Sequence, residues 1–261
     1  MTIFSNYSML LIEQKLEGLK SMAMKSKKTN LIKILVALNI IIYMVFTWWD
    51  IFNKETFISS DVLKFMSMII VFIISIMTKK DALSFKDLHL LQIGLFITLI
   101  ADLLLLLLDN HYILGIFLFS IVQILYSLRY EFRNFKLTIR NFFIIFLSLS
   151  ILYIIINKFV VEIDFLWAMG LFYGLCLLNS VIKAFKAYKY KIYPEPNRQM
   201  ILIGMILFLL CDINVALYNI LGYMGKVNVF YNISSVSMWL FYLPSQILLA
   251  LSGYNYNMFY N

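Results

Sequence analysis

Eight predominantly apolar runs, most of them long enough to cross a bilayer as a helix, leave this chain lipid as its only plausible solvent. They lie at approximately Leu31–Trp49, Asp61–Met77, Leu88–Leu108, Tyr112–Leu128, Asn141–Ile156, Asp164–Tyr188, Met200–Leu221 and Ser237–Leu251. A hydrocarbon core about 30 Å thick takes roughly 20 helical residues. The fifth run is short for that length and the sixth is long. The runs are continuous rather than alternating, so each must satisfy its own backbone as a helix, and a membrane β-barrel is excluded. Hydrophobic residues make up 62% of the chain and charged residues 14%, with a mean hydropathy of +0.87. An ordinary soluble domain does not have this balance. The expected fold is all-α: a polytopic membrane protein of about eight transmembrane helices.

The basic residues set the expected orientation. Lys15, Lys20, Lys25, Lys27, Lys28 and Lys33 precede or open the first run. Lys79, Lys80 and Lys86 follow the second, and Arg129, Arg133, Lys136 and Arg140 follow the fourth. Lys183, Lys186, Lys189, Lys191 and Arg198 surround the sixth loop, whereas the opposite side receives only Lys54, Lys64, Lys158 and Lys226. Eighteen against four places both termini in the cytoplasm of a multi-pass cell-membrane protein. The net charge of +8 then suits anionic lipid head groups rather than nucleic acid. Residues 1–30 form an N-terminal cytoplasmic segment with no cleavable signal sequence. There Met9, Ile12, Leu16, Leu19 and Ala23 recur at helical spacing, as in a helix lying in the interface. Residues 31–253 form the membrane domain, and 254–261 a short cytoplasmic tail. Tyr188-KYKIYPEPNRQ forms a long loop in which Pro194 and Pro196 should stop the sixth helix and launch the seventh.

Within this apolar frame two acidic residues stand out. Asp102 closes Gly94-LFITLIA-Asp102 and Asp212 closes Gly204-MILFLLC-Asp212, so both read Gly-x7-Asp. Each is followed by a run containing Gln-Ile-Leu, at Gln123–Leu125 and Gln246–Leu248. A carboxylate at membrane depth costs roughly 2.5–3.5 kcal/mol on insertion scales and marks a functional site by default. Its recurrence implies an internal duplication into two parallel four-helix repeats, about 31–130 and 141–253. Asp102 and Asp212 lie 15 and 14 residues past Asp87 and Arg198, hence at matching depth, about 21–22 Å into the membrane at 1.5 Å per residue. Asp109 and Asn219 follow seven residues later on the same helical face. Thr98, four residues before Asp102, is placed to hydrogen-bond to it, and Gly94 and Gly204 admit a close neighbour. If the third and seventh helices pack across the repeat axis, the two carboxyls meet. In a dry site such a pair does not ionise fully, and it offers an acid and a base together. The other reading is two separate structural aspartates, each bound to Asn, Gln or Tyr of a partner helix.

These motifs resemble those of the YhhN family of lysoplasmalogenase-like membrane proteins. Its members carry Gly-Asp in the first motif, Ser-Asp in the second and Tyr-x3-Gln near the end. The matching segments here are Gly94-LFITLIA-Asp102, Gly204-MILFLLC-Asp212 and Tyr242-LPS-Gln246. Phe119-SIV-Gln123-IL-Tyr126 resembles the family's Phe-x3-His-x2-Tyr, with Gln123 in the histidine position. Ala101 and Cys211 replace the residues before the two aspartates. The resemblance implies hydrolysis of the vinyl-ether bond of a lysophospholipid or related ether lipid, with Asp102 and Asp212 as acid and base. Gln123, Tyr126, Tyr242 and Gln246 are then expected to position water or the head group, with Asn219 and Thr98 also lining the site. No cofactor or metal is expected; His89 and His111 sit at helix ends as interfacial residues, and Cys176 and Cys211 serve as small packing groups. Two rival readings remain at this level, a proton-coupled transporter of small molecules or lipids and a noncatalytic membrane protein.

Overall fold

The computed structural model describes residues 2–52, 57–131 and 135–256, with side chains from Lys27 onward except Lys80. Among these residues the chain forms eight long helices: α1 (Thr2–Phe52), α2 (Ser60–Met77), α3 (Phe85–Asp102), α4 (Tyr112–Tyr130), α5 (Phe135–Phe159), α6 (Phe165–Lys189), α7 (Asn197–Tyr223) and α8 (Val229–Leu251). Each contains a span apolar and long enough to cross a membrane, starting in α1 at Lys27. The expected stripe from Met9 to Ala23 lies outside the described side chains; its backbone continues α1 without a break. Residues 257–261 of the tail also lie outside the described residues.

Two boundaries differ from the sequence reading. The fifth helix has 25 residues and is not a short span, because it carries Lys136 and Arg140 in its first turns before the apolar run begins. The eighth starts at Val229, where the Asn228 side chain accepts from Tyr231 N and satisfies one of the helix's orphan donors. Pro196 does launch α7. Pro194, however, does not end α6: the helix stops at Lys189, and the chain turns away through Lys191 at φ 53°.

Packing between helices repeats across the two halves. In the first half α1 packs on α2, α2 on α3 and α3 on α4, while α1 and α2 both reach α8. In the second half α5 packs on α6, α6 on α7 and α7 on α8, while α5 and α6 both reach α4. Adding four to every label of the first set, with α8 passing to α4, gives the second. This is the pattern expected of two exchanged, parallel repeats.

The side of the bundle that carries Lys28 of α1 and Asn255 beyond α8 is the near side. Lys28 pairs with Asp81 at 2.6 Å, and Asn255 N donates to Asp81 O at 2.8 Å, drawing α1, the α2–α3 turn and the C-terminal segment together. Asn197 caps the end of α8 by donating to the Ser252 and Tyr254 carbonyls. Also on the near side, Arg129 donates to both Asp87 oxygens at 2.8 and 3.0 Å. Tyr193 donates to Asp87 and to the Arg129 carbonyl at 2.7 and 2.8 Å. This fully enclosed clasp ties α3, α4 and the α6–α7 loop. Burial, then the Asp87 carboxylate, raise the Tyr193 hydroxyl well above its ordinary value, which keeps it a donor.

Large apolar side chains such as Ile41, Met44, Phe143, Ile154 and Ile182 face outward, while Asn39, Ser67, Gln123 and Gln246 are enclosed. An apolar exterior over a partly polar interior is stable only where the surroundings are hydrocarbon. Pro244 interrupts α8. It has no N–H to offer the Leu240 carbonyl, and the Tyr43 hydroxyl of α1 donates to that carbonyl instead, at 3.3 Å.

Candidate active site

The α3 residues that face the interior are Leu91, Leu95, Thr98 and Asp102, spaced four, three and four apart, and all are buried. The buried stripe of α7 has the same spacing: Ile201, Met205, Phe208, and then Asp212, which is half-buried. Periodicity alone therefore turns both carboxyls inward.

Asp102 is 6% exposed, and both its oxygens accept from the Tyr242 hydroxyl of α8 at 2.9 Å. Asp212 accepts from the Tyr173 hydroxyl of α6. Asp212 lies near enough to act electrostatically on Asp102, and the Cys211 thiol is within electrostatic reach of both. Each carboxyl is bound by a tyrosine rather than by its counterpart. Phe208 ties the two half-sites together: its ring lies 5.8 Å from Tyr242 and 6.3 Å from Phe119, which lies 6.0 Å from Tyr173.

Gln123 joins the cluster from α4. Its Oε1 accepts from Ser180 of α6 at 2.6 Å, and its side chain neighbours the Tyr173 hydroxyl. Gln246 is enclosed on α8, one helical turn from Tyr242 towards the near side. Thr98 stands one turn from Asp102 in the same direction. Its hydroxyl is buried without a protein partner, so the expected bond to Asp102 is not made. The carboxyl is engaged by Tyr242 instead.

Tyr126 belongs to a different level. A Cβ added at Gly94 would lie 2.8 Å from the Tyr126 ring, so the ring occupies the notch left by that glycine. That level is eight residues, or about 12 Å, from Asp102. Gly204 plays the parallel part in α7, receiving Leu249 and the Ser245 carbonyl of α8. The close neighbour of each glycine is therefore the next helix.

Asn219 is not in the site. It is exposed, and its amide donates to the Val215 carbonyl of its own helix. Asp109 does not stand above Asp102 either. A π-helical turn, Leu103–Leu107, follows Asp102, with Leu108 N bonding back to Leu103 O. The chain then leaves the helix through Asp109 at φ 45°, and Asp109 pairs with Tyr112. Such turns widen a helix locally and are common beside functional residues.

Sequence reasoning missed Tyr173 and Ser180, and it assigned Cys211 to packing alone. Tyr173 sits in the apolar run Leu171-FYGLCL-Leu178, and no spacing relates it to Asp212; only the approach of α6 to α7 does. Cys211 could have been found as the neighbour of Asp212.

A groove of about 630 Å³ opens at the far side between α4, α5 and α6. His111, Asp164 and Tyr112 border it, and Phe117, Phe146 and Met169 form its apolar wall. Met169 is one helical turn from Tyr173. Both histidines are exposed, His111 at this rim and His89 beside the Phe85 carbonyl.

The model of the YhhN family matches residues 59–253, covering α2 to α8 and both Gly-x7-Asp motifs. The chain belongs to the YhhN family. No curated protein and no solved structure matches it in the corresponding searches. The region matched to the YhhN family contains Asp102, Asp212, Tyr242 and Gln246; α1 lies outside it.

Proposed function

We propose that this protein is a membrane-embedded hydrolase that cleaves the vinyl-ether bond of a lysoplasmalogen by acid–base catalysis. The observation that supports this reading is that two carboxyls, on α3 and α7, each accept from a tyrosine hydroxyl and lie within electrostatic reach of each other. Vinyl-ether hydrolysis needs a proton donor and a base in a site that controls water. One aspartic acid protonates the β-carbon of the vinyl ether, and the double bond's electrons form that C–H bond. The resulting oxocarbenium ion is stabilised by the other, ionised carboxylate, which then takes a proton from water as the water oxygen bonds to the α-carbon. The hemiacetal collapses to a fatty aldehyde and the glycerophospho alcohol, one water being consumed overall.

Depth supports the same reading. If the near side is cytoplasmic, the carboxyls lie in the outer half of the membrane. The ether bond of a single-chain lipid sits just below its head group, at a similar level. The far-side groove has the volume and apolar wall of a site for a small amphiphile, and it ends one turn from Tyr173.

The test is purified protein in detergent, supplied with lysoplasmalogen and monitored for aldehyde, with Asp102→Asn and Asp212→Asn beside wild type. Aldehyde release in wild type and its loss in both variants supports the proposal. Undiminished release in both variants sinks the mechanism. Loss of a proton-coupled flux in sealed vesicles, with no aldehyde formed by wild type, would select a transporter instead.

A further inference from the structure

Below the carboxyl pair, towards the near side, the interior holds polar atoms that the protein does not satisfy. On α4 the Tyr126 hydroxyl is buried without a hydrogen-bond partner, and Arg129 and the Tyr130 hydroxyl have only each other for the remaining Nη1 and hydroxyl positions. The Thr98 hydroxyl on α3 and both amide atoms of Gln246 on α8 are, like the Tyr126 hydroxyl, buried without a partner. Each such group costs about 1–3 kcal/mol if left unpaired, and so many within one bundle are not tolerated as orphans.

Their order along the bundle follows from the packing. Asp102 faces Tyr242, and Gly253 packs on Leu91 and Leu88, which sets the register of α3 against α8. Thr98 and Gln246, each four residues from the Asp102–Tyr242 rung, therefore share the next rung. Tyr126 lies at the level of Gly94, one turn further. Tyr130 follows after another turn, with the Arg129 guanidinium 5.7 Å from its ring. Successive rungs are about 6 Å apart along the helix axes, four residues at 1.5 Å. The whole file spans about 22 Å, from Asp87 to Asp102. Buried water typically makes about three bonds to groups of this kind.

We infer that a file of ordered water, held by Arg129, Tyr130, Tyr126, Gln246 and Thr98, leads from the near-side clasp to the carboxyl pair and delivers the water that hydrolysis consumes. The delivery role rests on the hydrolase reading; the existence of the file does not. Lipid would then reach the carboxyls from the far side and water from the near side, so the two reactants would not compete for one entrance.

Radiolytic labelling tests the file in the full-length protein. Microsecond X-ray pulses in 18O-labelled water, followed by mass spectrometry, report side chains in contact with water. Tyr126 and Tyr130 are expected to be modified at least tenfold faster than Phe46, which is equally enclosed, and within about tenfold of exposed Tyr190. Labelling of the two tyrosines at the Phe46 level overturns the file, even if aldehyde release is intact. Labelling without aldehyde release from any ether lipid keeps the file and overturns its delivery role. Thr98→Val is expected to lower kcat about tenfold with KM unchanged, and a rise in KM alone would overturn the assignment of Thr98 to water.

Discussion

The two halves of this bundle place their aspartates alike and bind them differently. Ser75 on α2 and Ser180 on α6 make the same bond to the carbonyl three residues back, to Phe72 and Leu177. That aligns Met68 with Tyr173, just as the Gln-Ile-Leu segments align Phe119 with Tyr242. In the first half the hydroxyl for Asp102 comes from Tyr242 of α8, and the α2 position holds Met68. In the second half Phe119 has no hydroxyl to give, and Tyr173 of α6 supplies it. The two halves thus share a carboxyl at the corresponding motif position, while its hydroxyl donor comes from α8 in one and from α6 in the other. A carboxyl in hydrocarbon needs some partner, but any neighbouring helix can supply one.

If the two half-sites act as one unit, Asp102→Asn and Asp212→Asn should each lower aldehyde release by about 10²–10⁴, the usual worth of a general acid or base. The double variant should then be little worse than either single one, because members of a catalytic unit are not additive. Independent, additive losses would separate the half-sites.

The near-side clasp joins the two halves, because Tyr193 comes from the α6–α7 loop, so its loss should loosen both. Asp87→Asn leaves Arg129 buried without its counter-charge and is expected to cost about 3–5 kcal/mol, read as a lowered Tm in detergent. An unchanged Tm would mean that the guanidinium finds another acceptor.

The exchanged hydroxyls offer a direct test of equivalence. Tyr173→Phe removes a bond to a carboxyl worth about 1.5–3 kcal/mol, or roughly ten- to a hundredfold in turnover at 1.36 kcal/mol per decade. Adding Phe119→Tyr to that variant is expected to restore most of the loss, since position 119 corresponds to Tyr242. Failure of that rescue in a folded double variant would show that the halves diverged in backbone as well as side chain.

The smallest effects concern the two motif glycines. Gly94→Ala forces a methyl against a rigid aromatic ring, whereas Gly204→Ala meets the branched tip of Leu249 at 3.1 Å, which can shift. Overpacking costs about 1–3 kcal/mol, and thermal unfolding should place Gly94→Ala at the upper end and Gly204→Ala at the lower. The reverse order would show that the Tyr126 ring moves more freely than the Leu249 side chain.

Much of the architecture was legible beforehand because hydrocarbon imposes one-dimensional rules. Helix number, the continuity of the spans and the inward turn of Asp102 and Asp212 all follow from apolar length and a period of 3.6. The boundaries of α5 and α8 escaped because polar residues extend a helix beyond the core that lipid requires. Thr98 was assigned to Asp102 by spacing alone, and spacing does not reveal that a stronger donor, Tyr242, arrives from 140 residues away.

By itself the sequence determined that this is an all-helical bundle of eight spans apolar enough to cross a membrane, with two acidic groups turned inward, since period and hydropathy are local quantities. Only the tertiary structure decided which hydroxyl reaches which carboxyl, that Cys211 lies within electrostatic reach of both, and that Asn219 turns back to its own helix. Those outcomes depend on how helices distant in sequence approach one another, and close packing makes each approach a property of the whole bundle.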